Sequence, residues 1–440
     1  MIARAGVAAL AAACTAFIAS QPALAADPPG DDDMAFITEV VDMIVRYHGE
    51  VHDRDRLMAE AITAVQRAHD AVTAGPPPAS AAETGIKAFV ETLGPHNFYA
   101  TARQFEVRRD WFAGAATARL GMIGTTVRRG FAIRLVYPGG PAEKAGLLPD
   151  DLITAIDGAP LAGLPREEVA ARLRGKAGRR VTLALEAPDG SRRETTARYA
   201  EIGTESVLSR LFGDTGYLWL RRFNRRTDSG METALARLAP AGPGITPVRG
   251  LVIDIRDNQG GYLTDAVELA DLFLTAGEIA RVTSRHDAEP RIYIADPAQD
   301  FAALPVVVLM NGVSRSSAEI FASALRDNGR AVLMGQKTYG KGVGQRTYKV
   351  KATGGSLTLV RSLVTPPSGR VFDRVGIEPD IPLARGERPG LDTALCPPLP
   401  DSPFTDPEIA CALAFIAAGV TPEDFTRTLM QTAGPGVEAQ

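Results

Sequence analysis

The stretch 304–335, LPVVVLMNGVSRSSAEIFASALRDNGRAVLMG, sets two apolar runs around a polar turn and a longer mixed segment. VVVLM and AVLMG are short and unbroken, the pattern of strands covered on both faces. Between them Ser316 precedes Glu319 by three residues, which fits the capping box S-x-x-E. Ile320, Phe321, Ala324 and Leu325 then share one helical face, and Gly329 supplies a stop. Strand, helix and strand in this order predict a βα unit of a mainly parallel sheet.

Working outward, the alternation continues. From Gly216, GYLWLRRF reads as a strand, TDSGMETALARLAP as a helix, VRGLVIDIRDN as a buried strand and YLTDAVELADLFL as a helix. The expected class is therefore α/β with several domains, and functional groups of such sheets gather at the carboxyl ends of strands. Gly260-Gly261 and the serines at 314–317 both fall there. Upstream, Phe36, Val40, Met43, Ile44, Leu57, Ile62 and Val65 recur at helical spacing, as two helices joined near Gly49. AVTAGPPPASAAET, 71–84, reads as a linker or surface loop. From Leu120 the pattern turns to short strands, FAIRLVY, DLITAIDG and RVTLALEA, with a helix in PREEVAARLRG. Boundaries are expected at 26–111 for a helical region, 112–200 for the strand-rich unit, 201–385 for the α/β core and 386–440 for a C-terminal extension. In that extension DPEIACALAFIAAG reads as a short amphipathic helix without chemistry of its own.

The 440 residues are 45% hydrophobic and 23% charged, enough for two or three domains. A net charge of −4 gives no bulk electrostatic reason to bind nucleic acid or an anionic membrane. MIARAGVAALAAACTAFIASQPALA carries Arg4, a run of small apolar residues and Ala23-Leu24-Ala25, the pattern of a leader cleaved near Ala25. The mature chain is then exported and periplasmic, with membrane contact only if the leader is retained. Cleavage removes Cys14 and leaves Cys396 and Cys411, which in an exported chain read as a local disulfide, two buried thiols being the alternative.

Ser314, Ser316 and Ser317 lie close together, yet no histidine follows His286. A serine at a strand-to-helix turn sits beside the free amides of the helix start, which are what an oxyanion needs. Gly260-Gly261 lets further N–H groups approach a ligand unobstructed. Lys341 stands between Gly340 and Gly342 in TYGKGVGQ. A lysine ordinarily titrates near ~10.4, but burial among apolar groups can lower it toward ~7–8, where it can deprotonate a serine. Each feature alone is more often structural than catalytic, and it is their conjunction that points to nucleophilic catalysis. No metal or other cofactor is called for.

Together these segments resemble the carboxyl-terminal processing peptidases, tail-specific proteases of the S41 family that carry a PDZ domain. ETLGPHNFYATARQFE resembles the segment before that domain, GGPAEKAGLLPDDLITAIDG its core, and GLVIDIRDNQGG the glycine loop of the protease. GQKTYGKGVGQ resembles the lysine loop and TPPSGRVFDRVGIEPDI the closing motif, so the likeness runs from about Phe36 to Leu383. It implies a crotonase/ClpP-like core with Ser316 as nucleophile, Lys341 as general base and Gln345 positioning the lysine. The oxyanion amides would be those of Ser317 and of Gly260, with Gly261 in its place as an option. Asp327 would support the turn. Ser314 and Ser317 remain competitors for the nucleophile on spacing. Ser317 stands where alanine is usual, Gly94 replaces an aspartate, TPPSG has an extra proline and LPDDL lacks a glycine, and none of these removes a catalytic side chain.

A PDZ domain adds a peptide strand to its sheet edge and holds the terminal carboxylate in backbone amides. By resemblance those amides belong to Gly121, Met122 and Ile123, with Leu120 and Ile123 offering an apolar pocket. The partners implied are proteins or peptides with accessible apolar C-termini, an adaptor protein being a further option. A catalytically silent PDZ scaffold, or a Ser/Lys hydrolase acting on a cell-wall ester or amide, would use the same residues differently.

Overall fold

Helices form near the N-terminus where apolar residues recur at every third or fourth position. The computed structural model describes residues 29–72, 81–112, 117–137, 140–148, 151–202, 206–225, 227–238, 248–297, 304–384, 389–397 and 406–432. The leader expected at 1–25 lies outside the described residues. Helices α1 (Asp31–Tyr47), α2 (Arg54–Val72) and α3 (Ala81–Thr92) bury Phe36, Val40, Ile44, Leu57, Val65 and Ile86 in one cluster. Val350, Leu357 and Leu359, from far along the chain, complete it. They come from the turn after β17 (Val343–Lys349) and from β18 (Ser356–Thr365), whose first half pairs antiparallel with β1 (Phe98–Ala100). Residues 345–361 therefore group with the N-terminal helices, interrupting the core expected to run unbroken over 201–385. Local periodicity gave no sign of this, because the partner surface is remote in sequence.

The second unit contains residues 106–344 and 362–440. After α4 (Ala102–Phe112), the short strand β2 (Thr117–Arg119) pairs antiparallel with β9 (Ala200–Ile202). Between them β3 (Met122–Val127), β4 (Gly130–Val136), β5 (Leu152–Ile156), β7 (Arg180–Glu186) and β8 (Arg192–Arg198) form an antiparallel sheet in that order, with β6 (Ala159–Pro160) beside β5. The helices α5 (Pro141–Lys144) and α6 (Arg166–Arg172) complete this part, and Leu120, Ile133, Ile153, Val181 and Leu183 fill its core. Among the described residues β3 pairs with β4 alone, so it stands at the sheet edge.

In the α/β core, β10 (Val207–Phe212) is antiparallel to β11 (Thr215–Leu220). The strands β11, β12 (Gly250–Asp254), β15 (Val306–Met310), β16 (Val332–Gly335) and β19 (Ile381–Pro382) are then parallel neighbours. An antiparallel pair, β13 (Glu278–Thr283) and β14 (Arg291–Ile294), lies outside this sheet. Every residue of β12 and β15 is buried, as a sheet covered on both faces requires. Leu251, Ile253, Val306 and Val308 pack with α7 (Thr227–Leu238), α8 (Leu263–Asp271) and α9 (Ser317–Asp327). Val252, Val307 and Leu309, alternating with them, pack with Ile409, Cys411 and Phe415 of α10 (Pro407–Ala418) and with Phe425 of α11 (Pro422–Thr432). What reads in the sequence as an extension is thus the second layer of the sheet. Burying each large side chain there contributes roughly 1.5–3 kcal/mol. The Cys396 and Cys411 sulfurs stand 1.99 Å apart, both residues being buried in this layer.

Candidate active site

Two loops leave the carboxyl ends of β12 and β15, and serine hydroxyls tie them together. Ser314 is fully buried, donating from Oγ to the Ile255 carbonyl at 2.9 Å and accepting the Asn311 N–H at 3.0 Å. Ser317 is also buried, its Oγ 3.1 Å from the carbonyls of both Gly261 and Tyr262. Ser316 differs from both, being only half-buried and holding φ at +60° and ψ at −122°. That backbone costs an L-residue about 1–3 kcal/mol and persists only where the surroundings enforce it. Here the Ser316 N–H donates to Glu319 Oε2 at 2.8 Å, while its carbonyl accepts the N–H groups of Glu319 and Ile320 at 2.8 and 3.0 Å.

Glu319 does more than cap the helix. Its carboxylate is fully buried, and Oε1 accepts the Thr338 hydroxyl at 2.5 Å and the Gly340 N–H at 2.7 Å. Oε2 accepts the Lys341 N–H at 2.8 Å alongside that of Ser316. The serine turn and the lysine loop therefore meet over one oxygen atom. Burial pushes the Glu319 pKa up, and the donors from Thr338, Lys341, Ser316 and Gly340 work against it. The sequence pattern carries only the capping bond, since the other partners lie in the next loop. The available signal was an acid set among the apolar residues Ala318, Ile320 and Phe321. Glu319→Ala leaves buried N–H groups without an acceptor, at about 1–3 kcal/mol each where water cannot enter. A fall in denaturant midpoint is the expected outcome, and Glu319→Gln should be milder.

The lysine loop is fixed along its length. Gly340 has φ of +90°, and a Cβ there would come within 2.7 Å of the Gly376 nitrogen. The Arg374 N–H donates to the Gly340 carbonyl at 2.9 Å, and the Gly342 N–H donates to Asp373 Oδ1 at 2.9 Å. Asp373, from the closing motif, was not singled out in the sequence. Burial, reinforced by the cations Arg315 and Arg108, pushes the Lys341 pKa down to about 8, with Glu319 and Asp373 opposing in part. Such a lysine is neutral about one time in ten at pH 7, against fewer than one in a thousand for an ordinary one.

On the other side of Ser316, Gly260 has φ of +86° and packs against the serine turn. A Cβ on it would stand 2.8 Å from Ser316 Cβ and 3.0 Å from the Ser317 nitrogen. Its N–H, however, donates to Asn258 Oδ1 at 2.8 Å, and Asn258 Nδ2 donates to the Leu220 carbonyl at 2.8 Å. The bridge between Phe223 and Gly261 uses the Gly260 carbonyl and the Tyr262 N–H, leaving the Gly261 N–H outside the pairing. The Ser317 N–H, which opens α9, has no backbone acceptor among the described residues. Of the expected amides, that of Gly260 is thus held by Asn258, while those of Ser317 and Gly261 have no backbone acceptor among the described residues.

The remaining expected residues are more dispersed. Gln345 Nε2 donates to the His96 carbonyl within the N-terminal unit. Asp327 Oδ2 accepts the Ser368 N–H at 3.1 Å. In the strand-rich part, Leu120 is packed into the core, whereas Met122 and Ile123 at the start of β3 are both half-buried. Gly121 has φ of +77° and its carbonyl accepts the Tyr137 N–H at 2.8 Å.

Residues 214–383 match the model of peptidase family S41, and residues 133–186 that of the PDZ domain. A carboxy-terminal-processing protease of Bartonella bacilliformis is 33% identical over 304 residues, covering 68% of this chain and 68% of that protein. The chloroplastic carboxyl-terminal-processing peptidase 2 of Arabidopsis thaliana is 31% identical over 344 residues, 74% of this chain and 64% of that one. A solved structure of an S41 protease from Bacteroides fragilis superposes with a TM-score of 0.58 at 16% identity, over 87% of this chain and 97% of that one, a likeness of fold.

Proposed function

Because the chain belongs to the carboxy-terminal-processing proteases of peptidase family S41, we propose that it is an exported serine endopeptidase working through Ser316 and Lys341. Neutral Lys341 takes the Ser316 proton as Oγ attacks a peptide carbonyl. The N–H groups of Ser317 and Gly261 receive the developing oxyanion. Protonated Lys341 then gives its proton to the leaving amine, and the lysine, neutral again, activates the water that releases the acyl group. The observation that carries this reading is the pair of N–H groups, from Ser316 and Lys341, bound to one Glu319 oxygen.

Substrates are proteins with apolar C-termini, which add as a strand to the open edge β3 with their carboxylate at the Gly121, Met122 and Ile123 amides. Ile123→Asp is expected to weaken binding of a fluorescent apolar tail peptide by at least about tenfold, while Ser317→Ala keeps cleavage within a few-fold of wild type. The reading is tested by cleavage of an unfolded reporter with and without an apolar tail. Equal rates for both reporters would remove the tail-recognition role, and absence of cleavage would favour a binding scaffold. Export places the Cys396–Cys411 pair where a disulfide persists.

A further inference from the structure

Arg256, two residues beyond the end of β12, takes no part in the serine and lysine chemistry, yet it is among the most heavily bonded side chains of the core. Its guanidinium donates to Asp254 from Nε at 3.0 Å and from Nη2 at 2.6 Å. It also reaches Asp406 from Nη2 at 2.8 Å and from Nη1 at 3.1 Å, and Glu408 from Nη1 at 2.5 Å. The side chain is 14% exposed, so these bonds form largely out of water. Three acids around one cation need further compensation. Tyr217 Oη donates to Asp254 at 2.8 Å, Gln336 Nε2 donates to Glu408 at 3.3 Å, and Asp406 caps α10 by accepting the Glu408 and Ile409 N–H groups at 3.0 and 3.2 Å. The positive end of the α10 dipole adds to this. Burial works against both charges: Asp254 above all, with Asp406, outweighs it and keeps Arg256 firmly charged, and Arg256 in turn holds Asp406 below the usual carboxylate range.

The segment that Arg256 begins is the glycine loop. Asp257, at φ of +62°, exchanges hydrogen bonds with Asn311 at 3.1 and 3.0 Å. The Asn258 carbonyl accepts the Arg315 N–H at 3.0 Å, and its side chain holds Gly260. Asp257 and Asn258 are thus tied to the serine turn and Arg256 to α10, whose acids Asp406 and Glu408 lie beyond the 214–383 family match. We infer that Asp406 and Glu408 of α10 act through Arg256 as positioning residues, setting the height of the glycine loop so that its amide meets the oxyanion. The planar guanidinium, gripped from two sides, fixes orientation as well as distance.

The inference rests on the proposed peptidase reaction. The test compares wild type with Glu408→Gln, Asp406→Asn and Arg256→Lys, full-length and folded by circular dichroism, at a temperature well below unfolding. A tail-bearing reporter gives kcat and KM, a peptide aldehyde probes the oxyanion site, and a tail peptide probes the PDZ edge. Expected is a fall in kcat of at least about tenfold, short of the ~10²–10³ that outright removal of one oxyanion donor costs, with KM and tail affinity within about twofold of wild type. Aldehyde affinity should fall in proportion to kcat, and Arg256→Lys, which keeps the charge but loses the fork, should be intermediate. Wild-type kcat and aldehyde affinity in folded Glu408→Gln and Asp406→Asn would overturn the inference and leave the peptidase reading intact. A wild type that neither cuts nor binds the aldehyde would overturn that reading, and this inference with it. Should Arg256→Lys fail to fold, the two carboxamide variants decide alone.

Discussion

Ser316→Ala is expected to lower kcat by at least about 10⁴-fold while leaving tail binding and thermal stability nearly unchanged. Neither neighbouring serine can step in, because the hydroxyls of Ser314 and Ser317 are bonded to the carbonyls that hold the β12 and β15 loops together. Stability should not rise either. Alanine at φ of +60° carries the same backbone strain as serine, and the bonds that enforce the turn are made by the main chain of residue 316 and the Glu319 carboxylate. Steady-state cleavage, a tail-binding titration and a melting curve check the three parts. By contrast Ser314→Ala loses a buried bond and should destabilise by about 1 kcal/mol, with activity retained.

Lys341→Met is the second large effect, and it acts on activity and stability in opposite directions. Removing the base should cost about as much in kcat as removing the nucleophile, since groups acting as a unit fail together. The stability effect follows from the depressed pKa, about 8 in the folded protein against ~10.4 for an unperturbed lysine. Between these values the unfolded chain holds a proton that the folded one lacks, so stability rises with pH across that window. Below about pH 8 both states are protonated and the full cost of burying the charge is present. At pH 7, Lys341→Met should therefore be more stable than wild type by on the order of 2–3 kcal/mol, a gain that fades by pH 10–11. The same pKa predicts that kcat/KM of the wild type climbs as pH rises through about 8, because only neutral lysine accepts the serine proton.

How much of this was legible depends on how far apart the interacting residues lie. The βα order of the core could be read because each strand and helix carries its own period, and the serine turn because Ser316 and Glu319 are neighbours on one helix. Glu319's bonds to Thr338, Gly340 and Lys341 could not be read, since they join two loops whose approach is set by the parallel pairing of β15 and β16. The same holds for α10. Its composition gives a short apolar helix, but only the alternation of Val252, Val307 and Leu309 onto that face of the sheet makes it a layer of the core. Gly260 illustrates a finer limit, because a glycine pair marks an approachable backbone without saying which amide is already held, here by Asn258.

The central claim is that Ser316 is the nucleophile and Lys341 its base. It is tested most directly by trapping the acyl-enzyme with an active-site-directed acylating peptide, and locating the adduct by peptide mapping across a pH series. A single adduct on Ser316 is expected, forming faster as pH rises through about 8 and absent from Lys341→Met. An adduct on Ser314 or Ser317, or acylation of Ser316 that persists in Lys341→Met with an unchanged pH profile, would contradict it.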